Sequence, residues 1–234
     1  NYAVGINRHF ANSGTFVDQG GTVTFNGTGT LTSNSSEFHN IITSGTGTLT
    51  LGDALTIAND LTIGSGTTID VSGTNYAIGI KGDWSNSGTF TAQNGTVTFN
   101  GSTAQTLSGS NTFHDLTINN TDNSNKVDAS SSSSLTVQDD LLISDGIFKS
   151  ASDYHDITID AGTTLELSGN ITVSGTYINN GTLTPGTNKV TFDGSIGQSI
   201  TNNGTATGKT FYDVEINNTV GSPADGADVD SDAM

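Results

Sequence analysis

The residues best suited to binding chemistry are acidic side chains, which greatly outnumber basic ones. The sequence has 23 Asp and Glu against 6 Lys and Arg. Near its end, Asp228, Asp230 and Asp232 stand at alternate positions, a spacing that can gather oxygen ligands around Ca²⁺. A full calcium loop would also need a turn glycine and a distal glutamate. The sequence therefore predicts either a weak Ca²⁺ site or a solvated, flexible acidic tail over residues 220–234.

Catalytic motifs are absent from the sequence, which has no Gly-x-Ser-x-Gly elbow, phosphate loop or His-Glu-x-x-His zinc motif. His39 and His114 occupy equivalent positions of an internal repeat, whereas a catalytic base would not recur once per unit. A β-helical glycosidase needs two carboxylates facing one bond, and we expect Asp139 and Asp140 on opposite faces of a strand. Lyases of this fold usually have basic residues near calcium, yet Arg8 is the only arginine. We expect no enzymatic activity and no catalytic or cofactor-binding residue.

Charge and composition restrict the partners. A formal net charge of −17 would repel nucleic acid and disfavours anionic membrane surfaces. No apolar run approaches the roughly 20 residues of a membrane-spanning helix. The sequence has no cysteine, which excludes disulfides and fits many secreted bacterial surface proteins. It begins at Asn1 without an initiator Met or signal peptide, which indicates a processed or excised piece.

Apolar residues recur in short alternating runs, as in Thr22–Phe25, Leu61–Ile63 and residues 155–159. Period-2 alternation rich in Val, Ile, Thr and Phe, interrupted by Gly and Asn, is typical of strands and turns. No stretch has a sustained helical spacing. The sequence therefore predicts an all-β chain.

A long internal repeat organises these runs. Residues 1–6 (Asn-Tyr-Ala-Val-Gly-Ile) return 74 positions later as residues 75–80 (Asn-Tyr-Ala-Ile-Gly-Ile), and a third copy follows at a larger offset. The equivalent blocks of the three copies are 12–16, 86–90 and 179–183; 21–26, 95–100 and 189–193; and 38–41, 113–116 and 211–214. We predict repeat units 1–74, 75–167 and 168–234, the last one incomplete.

Long-range repetition of short strands favours a parallel β-solenoid, in which strands stay in register while insertions loop out. Three strands per coil would give rungs of about 25 residues, about three rungs per unit. Stacked rungs would form a single elongated rod over residues 1–234, roughly 40–50 Å long. An antiparallel sandwich or barrel is the alternative, because turn spacing alone does not exclude it.

Recurrent side chains admit both structural and binding interpretations. The large residues at equivalent positions are Phe10, Trp84 and Tyr177; Phe16, Phe90 and Leu183; and Phe25, Phe99 and Phe192. They could form an aromatic glycan-binding strip, but their place in alternating strands favours interior packing. Asn12, Asn86 and Asn179 recur near Gly and predict tight turns, with amide ladders between rungs. Ice binding would require stacked Thr-x-Thr pairs. Such pairs occur at Thr22/Thr24, Thr48/Thr50, Thr96/Thr98 and Thr182/Thr184.

Residues 95–120, GTVTFNGSTAQTLSGSNTFHDLTINN, resemble blocks of large bacterial surface and secreted proteins, the filamentous-haemagglutinin-like and autotransporter-passenger-like β-solenoids. The resemblance spans nearly the whole chain and lies in the style of the repeat rather than in a site motif. It implies a right-handed parallel β-helix, export to the cell surface or medium, and a role as stalk, adhesin or fibre.

We therefore expect a structural or adhesive rod segment of a large exported bacterial surface protein. The alternatives are a self-assembling extracellular fibre subunit joined through open end rungs, or a solenoid module that binds ice, glycan or Ca²⁺. The expected partners are neighbouring repeats of the same polypeptide, other copies of the chain, and a surface glycan or a host or abiotic surface. Nucleic acid and membrane insertion are not expected.

Overall fold

The computed structural model describes residues 3–122, 124, 126–203, 208–219 and 228–229. Within these residues the chain forms 28 short β-strands, and no helix there has the length and apolar character to cross a membrane. The strands are β1 (Ala3–Ile6), β2 (Phe10–Ala11), β3 (Thr22–Phe25), β4 (Gly29–Thr32), β5 (Glu37–Phe38), β6 (Asn40–Thr43), β7 (Gly47–Leu51), β8 (Leu55–Ile57), β9 (Leu61–Ile63), β10 (Thr67–Asp70), β11 (Ile78–Ile80), β12 (Trp84–Asn86), β13 (Thr89–Thr91), β14 (Thr96–Phe99), β15 (Gln105–Phe113), β16 (Asp115–Asn119), β17 (Lys126–Asp128), β18 (Ser132–Asp145), β19 (Ile147–Ser150), β20 (Asp153–Ile159), β21 (Thr164–Leu167), β22 (Ile171–Val173), β23 (Tyr177–Asn179), β24 (Thr182–Thr184), β25 (Lys189–Phe192), β26 (Ser199–Asn202), β27 (Asp213–Ile216) and β28 (Asp228–Val229).

Strand pairing is parallel throughout the described chain and joins each strand to its counterpart one turn away. In the first column of strands, for example, Val4 pairs with Val23, Val23 with Ile41, and Ile41 with Leu61. The chain is thus an all-β parallel β-solenoid of about 10 turns, with bridges about 20 residues apart. This confirms the fold expected from the repeat, and the antiparallel sandwich or barrel is wrong.

Five columns of in-register strands build the solenoid. Column 1 contains β1, β3, β6, β9, β12 and residues 107–109 of β15. Column 2 contains β5, β8, β11, β14, β16, residues 141–143 of β18, residues 157–159 of β20, β23, β26 and β28. Column 3 contains β2, β4, β7, β10 and β13.

The cross-section changes at β15, where columns 4 and 5 begin. Column 4 contains residues 105–106 of β15, β17, β19, β21 and β24. Column 5 contains residues 110–113 of β15, residues 134–137 of β18, residues 153–154 of β20, β22, β25 and β27. Column 2 runs through both parts of the solenoid, so it is the continuous wall of the rod.

The turns are shorter and less uniform than the expected three-strand rungs. Leu116 pairs with Leu141, whereas Leu141 pairs with Ile157 after a much shorter stretch of chain. The register carries Val4 through three turns to Leu61, so residues 3–74 span between three and four turns, where about three were expected. Equivalent blocks consequently fall in different columns, with Phe25 in column 1, Phe99 in column 2 and Phe192 in column 5. An equivalent block can lie in any column because its alternation requires only that every second residue point inward.

The interior is filled by the recurrent aromatic residues, which form one ring cluster per copy. Ring centroids of Phe10 and Phe38 lie 5.4 Å apart, those of Trp84 and Phe113 also 5.4 Å, and those of Tyr177 and Phe211 5.6 Å. The largest of these side chains are fully buried, as are Phe25, Phe99 and Phe192, while Phe10, Phe16 and Phe211 are partly buried against the core. Interior packing is therefore confirmed for these rings, and they form no surface strip for glycan.

The recurrent asparagines tie each turn to the next with the same geometry in all three copies. The side-chain oxygens of Asn12, Asn86 and Asn179 accept a hydrogen bond from the amide of the glycine two residues later, at 3.1, 3.0 and 3.0 Å. Their Nδ2 groups donate to carbonyl oxygens of the following turn, those of Ser33, Ser110 and Gly208. This confirms the predicted turn role and satisfies polar groups that would otherwise be buried without partners.

Two buried glutamines fulfil a similar role that the sequence did not suggest. Gln105 Nε2 donates to the carbonyl oxygens of Ile80 and Gly82, while its Oε1 accepts from the Gly101 amide. Gln198 forms the equivalent bonds to Val173, Gly175 and Gly194. The offset between the two glutamines matches that between the second and third copies, so the network belongs to the repeat.

Candidate metal centre

Three consecutive turns each place two adjacent histidine or aspartate residues at one corner of the rod, at the start of their column 2 strands. The pairs are His114–Asp115, Asp139–Asp140 and His155–Asp156, and we call these six residues the His–Asp ladder. Asp140 is the in-register partner of Asp156, and the pairing of Leu116 with Leu141 places Asp115 beside Asp140. The corner thus contains two parallel rows of side chains. One row consists of the carboxylates of Asp115, Asp140 and Asp156. In the other row, Asp139 lies between the imidazoles of His114 and His155.

Asp139 lies between the two histidines and presents one oxygen to each. Its Oδ2 is 3.9 Å from His114 Nδ1, and its Oδ1 is 3.9 Å from His155 Nδ1. Each histidine also faces the aspartate beside it in the sequence. His114 Nδ1 lies 2.9 Å from Asp115 Oδ1, and His155 Nδ1 lies 3.2 Å from Asp156 Oδ1. A single carboxylate therefore links two similar histidine–aspartate groups on different turns.

Backbone and threonine donors hold the outer carboxylates in place. Thr96 Oγ1 donates to Asp115 Oδ2 at 3.2 Å, and the Thr176 amide donates to Asp156 Oδ1 at 2.5 Å. The Asp139 amide donates to the carbonyl oxygen of His114 at 3.0 Å. These bonds fix the ladder from both ends, so its donor atoms are positioned by neighbouring turns.

A glycine bounds the ladder on its C-terminal side and leaves the room that the acidic and imidazole groups occupy. A Cβ on Gly175 would lie 1.9 Å from Asp156 Oδ1 and 2.9 Å from His155 Nδ1. Any larger residue would displace both side chains. An open groove of about 300 Å³ lies beside the ladder, lined in part by Asp115 and Asp140.

Repulsion between carboxylates dominates the electrostatics of the ladder. Burial raises the pKa of the Asp140 carboxyl above its ordinary value, and repulsion from Asp139, Asp156 and Asp115 raises it further, while His155 opposes the shift. The Nδ1 atom of His155 is buried and has no hydrogen-bond partner among the described residues. The corner therefore combines excess negative charge with a ring nitrogen that faces two carboxylates without a well-aligned hydrogen bond.

The donor atoms fall into two sets of three that could each hold a metal ion. The sets are His114, Asp115 and Asp139, and Asp139, His155 and Asp156; within each set the donor atoms lie within 4.8 Å of one another. One imidazole nitrogen with two carboxylate oxygens suits Zn²⁺ and related transition ions, whereas Ca²⁺ and Mg²⁺ favour oxygen alone.

The acidic residues singled out in the sequence lie elsewhere. Asp228 belongs to β28, whose backbone pairs with β26, while Asp230 and Asp232 lie outside the described residues. Most of the acidic segment 220–234 also lies outside them. The weak Ca²⁺ site therefore stays a prediction.

The expectation that Asp139 and Asp140 point to opposite faces of a strand is wrong. The register of β18 shifts between Val137 and Asp140, and both aspartates are accessible to solvent. Simple alternation fails because this part of β18 turns a corner of the rod.

A sequence signal for the ladder exists, although it does not follow the period of the long repeat. Residues 114–118, 139–143 and 155–159 read His-Asp-Leu-Thr-Ile, Asp-Asp-Leu-Leu-Ile and His-Asp-Ile-Thr-Ile. The three segments are unequally spaced along the chain, so no fixed period aligns them. Only the turn lengths of the folded chain bring them together.

Comparisons with protein-family models, curated proteins and solved structures returned no match.

Proposed function

We propose that the chain is a structural segment of a rod that an exported bacterial surface protein extends from the cell. The observation that carries the proposal is the unbroken register of column 2, in which consecutive turns are hydrogen-bonded strand to strand. Because each turn is tied to both neighbours, a lateral load is shared by many backbone hydrogen bonds. About 10 turns at about 4.8 Å each give a spacer of roughly 50 Å.

The interior supports this mechanical role. Asn86 Nδ2 donates to Asn111 Oδ1 at 3.1 Å, and Asn179 Nδ2 donates to Asn202 Oδ1 at 2.9 Å, both in buried positions. Such amide contacts resist sliding of one turn over the next, because a shift would leave buried polar groups unpaired. Apolar stacking alone would tolerate such slippage more readily.

Exposure to protease on intact source cells tests the proposal. An antibody against the folded chain should detect an epitope that a broad-specificity protease removes without lysis. Detection should also fall in parallel with that of a known surface protein, while a cytoplasmic protein stays intact. An epitope that is protected until the cells are lysed would contradict an exported rod.

A fibre subunit is the second candidate, because the end turns are open. Among the described strands, the only in-register partner of β1 is β3, and that of β27 is β25. Val4 is 43% exposed although its partner Val23 is buried, and Val214 is 41% exposed although its partner Val190 is buried. An unpaired edge with exposed apolar residues is a template for a further turn, supplied by the same polypeptide or by another copy.

Sedimentation over a range of concentrations shows whether another copy of the chain supplies the next turn, as in a fibre, or only the same polypeptide does. A fibre subunit should assemble as concentration rises, and Val214→Lys should prevent assembly by placing a charge on the open edge. Val17→Lys is the matched control, because Val17 is at least as exposed but lies outside the strands. A chain that stays monomeric at high concentration rules out the fibre and leaves the rod segment.

The ice-binding and glycan-binding alternatives gain no support from the Thr-x-Thr pairs or from the recurrent aromatic rings. The four Thr-x-Thr pairs lie in β3, β7, β14 and β24, which belong to four different columns, whereas an ice-binding face needs them stacked in one. The recurrent aromatic rings pack inward. Adhesion to a glycan or to a host or abiotic surface stays a prediction.

A further inference from the structure

We propose that the His–Asp ladder binds divalent transition-metal ions of the zinc class, with Asp139 as a ligand shared between two sets of donors on three consecutive turns. The ions would clamp the turns that carry His114, Asp139 and His155. This function goes beyond a mechanical rod and does not depend on export.

The distances suit such ions after a small contraction. Zinc binds imidazole nitrogen at about 2.0–2.1 Å and carboxylate oxygen at about 2.0–2.2 Å, so tetrahedral ligands lie about 3.4 Å apart. Each oxygen of Asp139 is 3.9 Å from the histidine nitrogen it faces. A side-chain adjustment of about half an ångström therefore brings both pairs to coordination distance.

Charge supplies a second argument. Four carboxylates meet at this corner, and in the described chain neither lysine nor arginine forms an ion pair with Asp115, Asp139, Asp140 or Asp156. Such crowding raises the free energy of the folded chain unless a cation offsets it. Two divalent ions would carry the four positive charges that match these carboxylates.

The ring nitrogen of His155 points between two carboxylates, the position of a metal ligand. The His155 side chain is 42% exposed, but its Nδ1 is shielded from solvent and faces Asp156 Oδ1 at 3.2 Å and Asp139 Oδ1 at 3.9 Å without a well-aligned hydrogen bond. Buried polar atoms without partners are uncommon in folded proteins. A metal ion between Nδ1 and the two neighbouring carboxylates would satisfy this atom.

The first repeat copy provides an internal contrast. His39 is equivalent to His114, but it is followed by Asn40 where the second copy has Asp115. On the next turn Asn59 Nδ2 donates to Asn40 Oδ1 at 2.9 Å, so two amides satisfy each other. Carboxylates stacked in the same way repel each other. At these two positions the first copy carries neutral amides, Asn40 and Asn59, where the second carries the carboxylates of Asp115 and Asp139.

Titration of the metal-depleted chain with Zn²⁺ tests the proposal, followed by isothermal calorimetry and by the thermal unfolding midpoint. We expect saturable binding of one or two ions per chain, a raised midpoint, and little response to Ca²⁺ or Mg²⁺ at the same concentration. Asp139→Asn should weaken Zn²⁺ binding at least tenfold, since it removes the shared ligand. His155→Gln should also weaken it.

Two controls keep the outcome clear. His39→Gln removes the equivalent histidine of the first copy and should leave the affinity for Zn²⁺ unchanged. Asp139→Asn removes one of four crowded charges, so the metal-free variant should fold with an equal or higher midpoint. Absence of saturable Zn²⁺ binding, or an affinity that Asp139→Asn leaves unchanged, would overturn the proposal.

Discussion

Asn86 and Gly109 are in-register partners on neighbouring turns, and the Asn86 carbonyl oxygen lies only 1.8 Å from where a Cβ of Gly109 would be. Gly109 has a φ of 90°, in the region that favours glycine, and the register of β15 shifts directly after it. Gly109 is the last residue of β15 that keeps the register of column 1, and column 5 begins with the next residue, Ser110. One glycine therefore permits the change of cross-section on which the second half of the rod is built.

Replacing this glycine should be costly. We expect Gly109→Ala to lower the free energy of unfolding by about 2–4 kcal/mol, because the substitution adds both left-handed backbone strain and a steric overlap. Urea unfolding followed by circular dichroism measures the loss. Gly14→Ala is the control, since a Cβ there meets nothing within 4 Å. Equal stability of the two variants would contradict the proposed role of Gly109.

The buried glutamine network should contribute more than a surface glutamine. Gln105→Ala leaves the Gly82 carbonyl oxygen and the Gly101 amide without this partner. The Ile80 carbonyl oxygen loses one of its two donors and keeps the Asn100 amide. We expect a loss of about 3 kcal/mol of unfolding free energy. Gln138→Ala, at an exposed position, should change it by less than about 0.5 kcal/mol. A similar, small effect of both substitutions would show that Gln105 does not hold the turns together.

Two buried tyrosines should respond oppositely to loss of the hydroxyl. The Tyr154 hydroxyl hydrogen-bonds to Ser150 Oγ. The Tyr177 hydroxyl lies beside the Asn179 side chain but makes no well-aligned hydrogen bond among the described residues. We expect Tyr154→Phe to destabilise the chain by about 1 kcal/mol, and Tyr177→Phe to be neutral or stabilising by a similar amount. Thermal or urea unfolding of the pair decides the matter, and a larger loss for Tyr177→Phe would contradict it.

The metal-free ladder should make stability fall as pH rises. The pKa of Asp140 is raised in the folded chain, by burial first and then by Asp139, Asp156 and Asp115. The folded chain therefore holds this proton more tightly than the unfolded chain. The resulting stabilisation is present at low pH and is lost as the pH rises above about 4, through the raised pKa. Asp140→Asn should remove this dependence and raise stability at neutral pH in the presence of a chelator.

Asp128 is the control, because its effect on the pH dependence of stability has the opposite sign to that of Asp140. Burial alone would raise the pKa of Asp128, but hydrogen bonds from the Ser130 side chain and amide and the charge of Lys149 outweigh it and lower the pKa. Its stabilisation is present above the ordinary pKa and is lost as the pH falls through the lowered value. Asp128→Asn should therefore reduce stability at neutral pH. A loss of the same sign for Asp140→Asn would contradict the proposed repulsion.

The inward faces and the turns could be predicted from the sequence, because their causes are local. Alternation around Phe99 identifies the buried side of β14, and the glycine two residues after Asn86 identifies the turn. Turn length could not be predicted, since added residues such as 122–134, which supply β17, do not disturb the alternation of the neighbouring strands. The His–Asp ladder could not be predicted from the sequence for the same reason. His114 and His155 meet Asp139 only because two turns of unequal length stack in register.

The most direct test of a stacked rod is the distance between spin labels along column 2. The chain has no cysteine, so introduced cysteines are the only sites for labelling. One double variant combines Thr56→Cys with Thr201→Cys, and a second combines Thr56→Cys with Thr158→Cys. The register places Thr201 seven turns and Thr158 five turns from Thr56. At about 4.8 Å per turn, we expect backbone separations of about 34 and 24 Å, a difference of about 10 Å. Two narrow distributions that differ by this amount would support the stacked rod, and equal or broad distributions would contradict it.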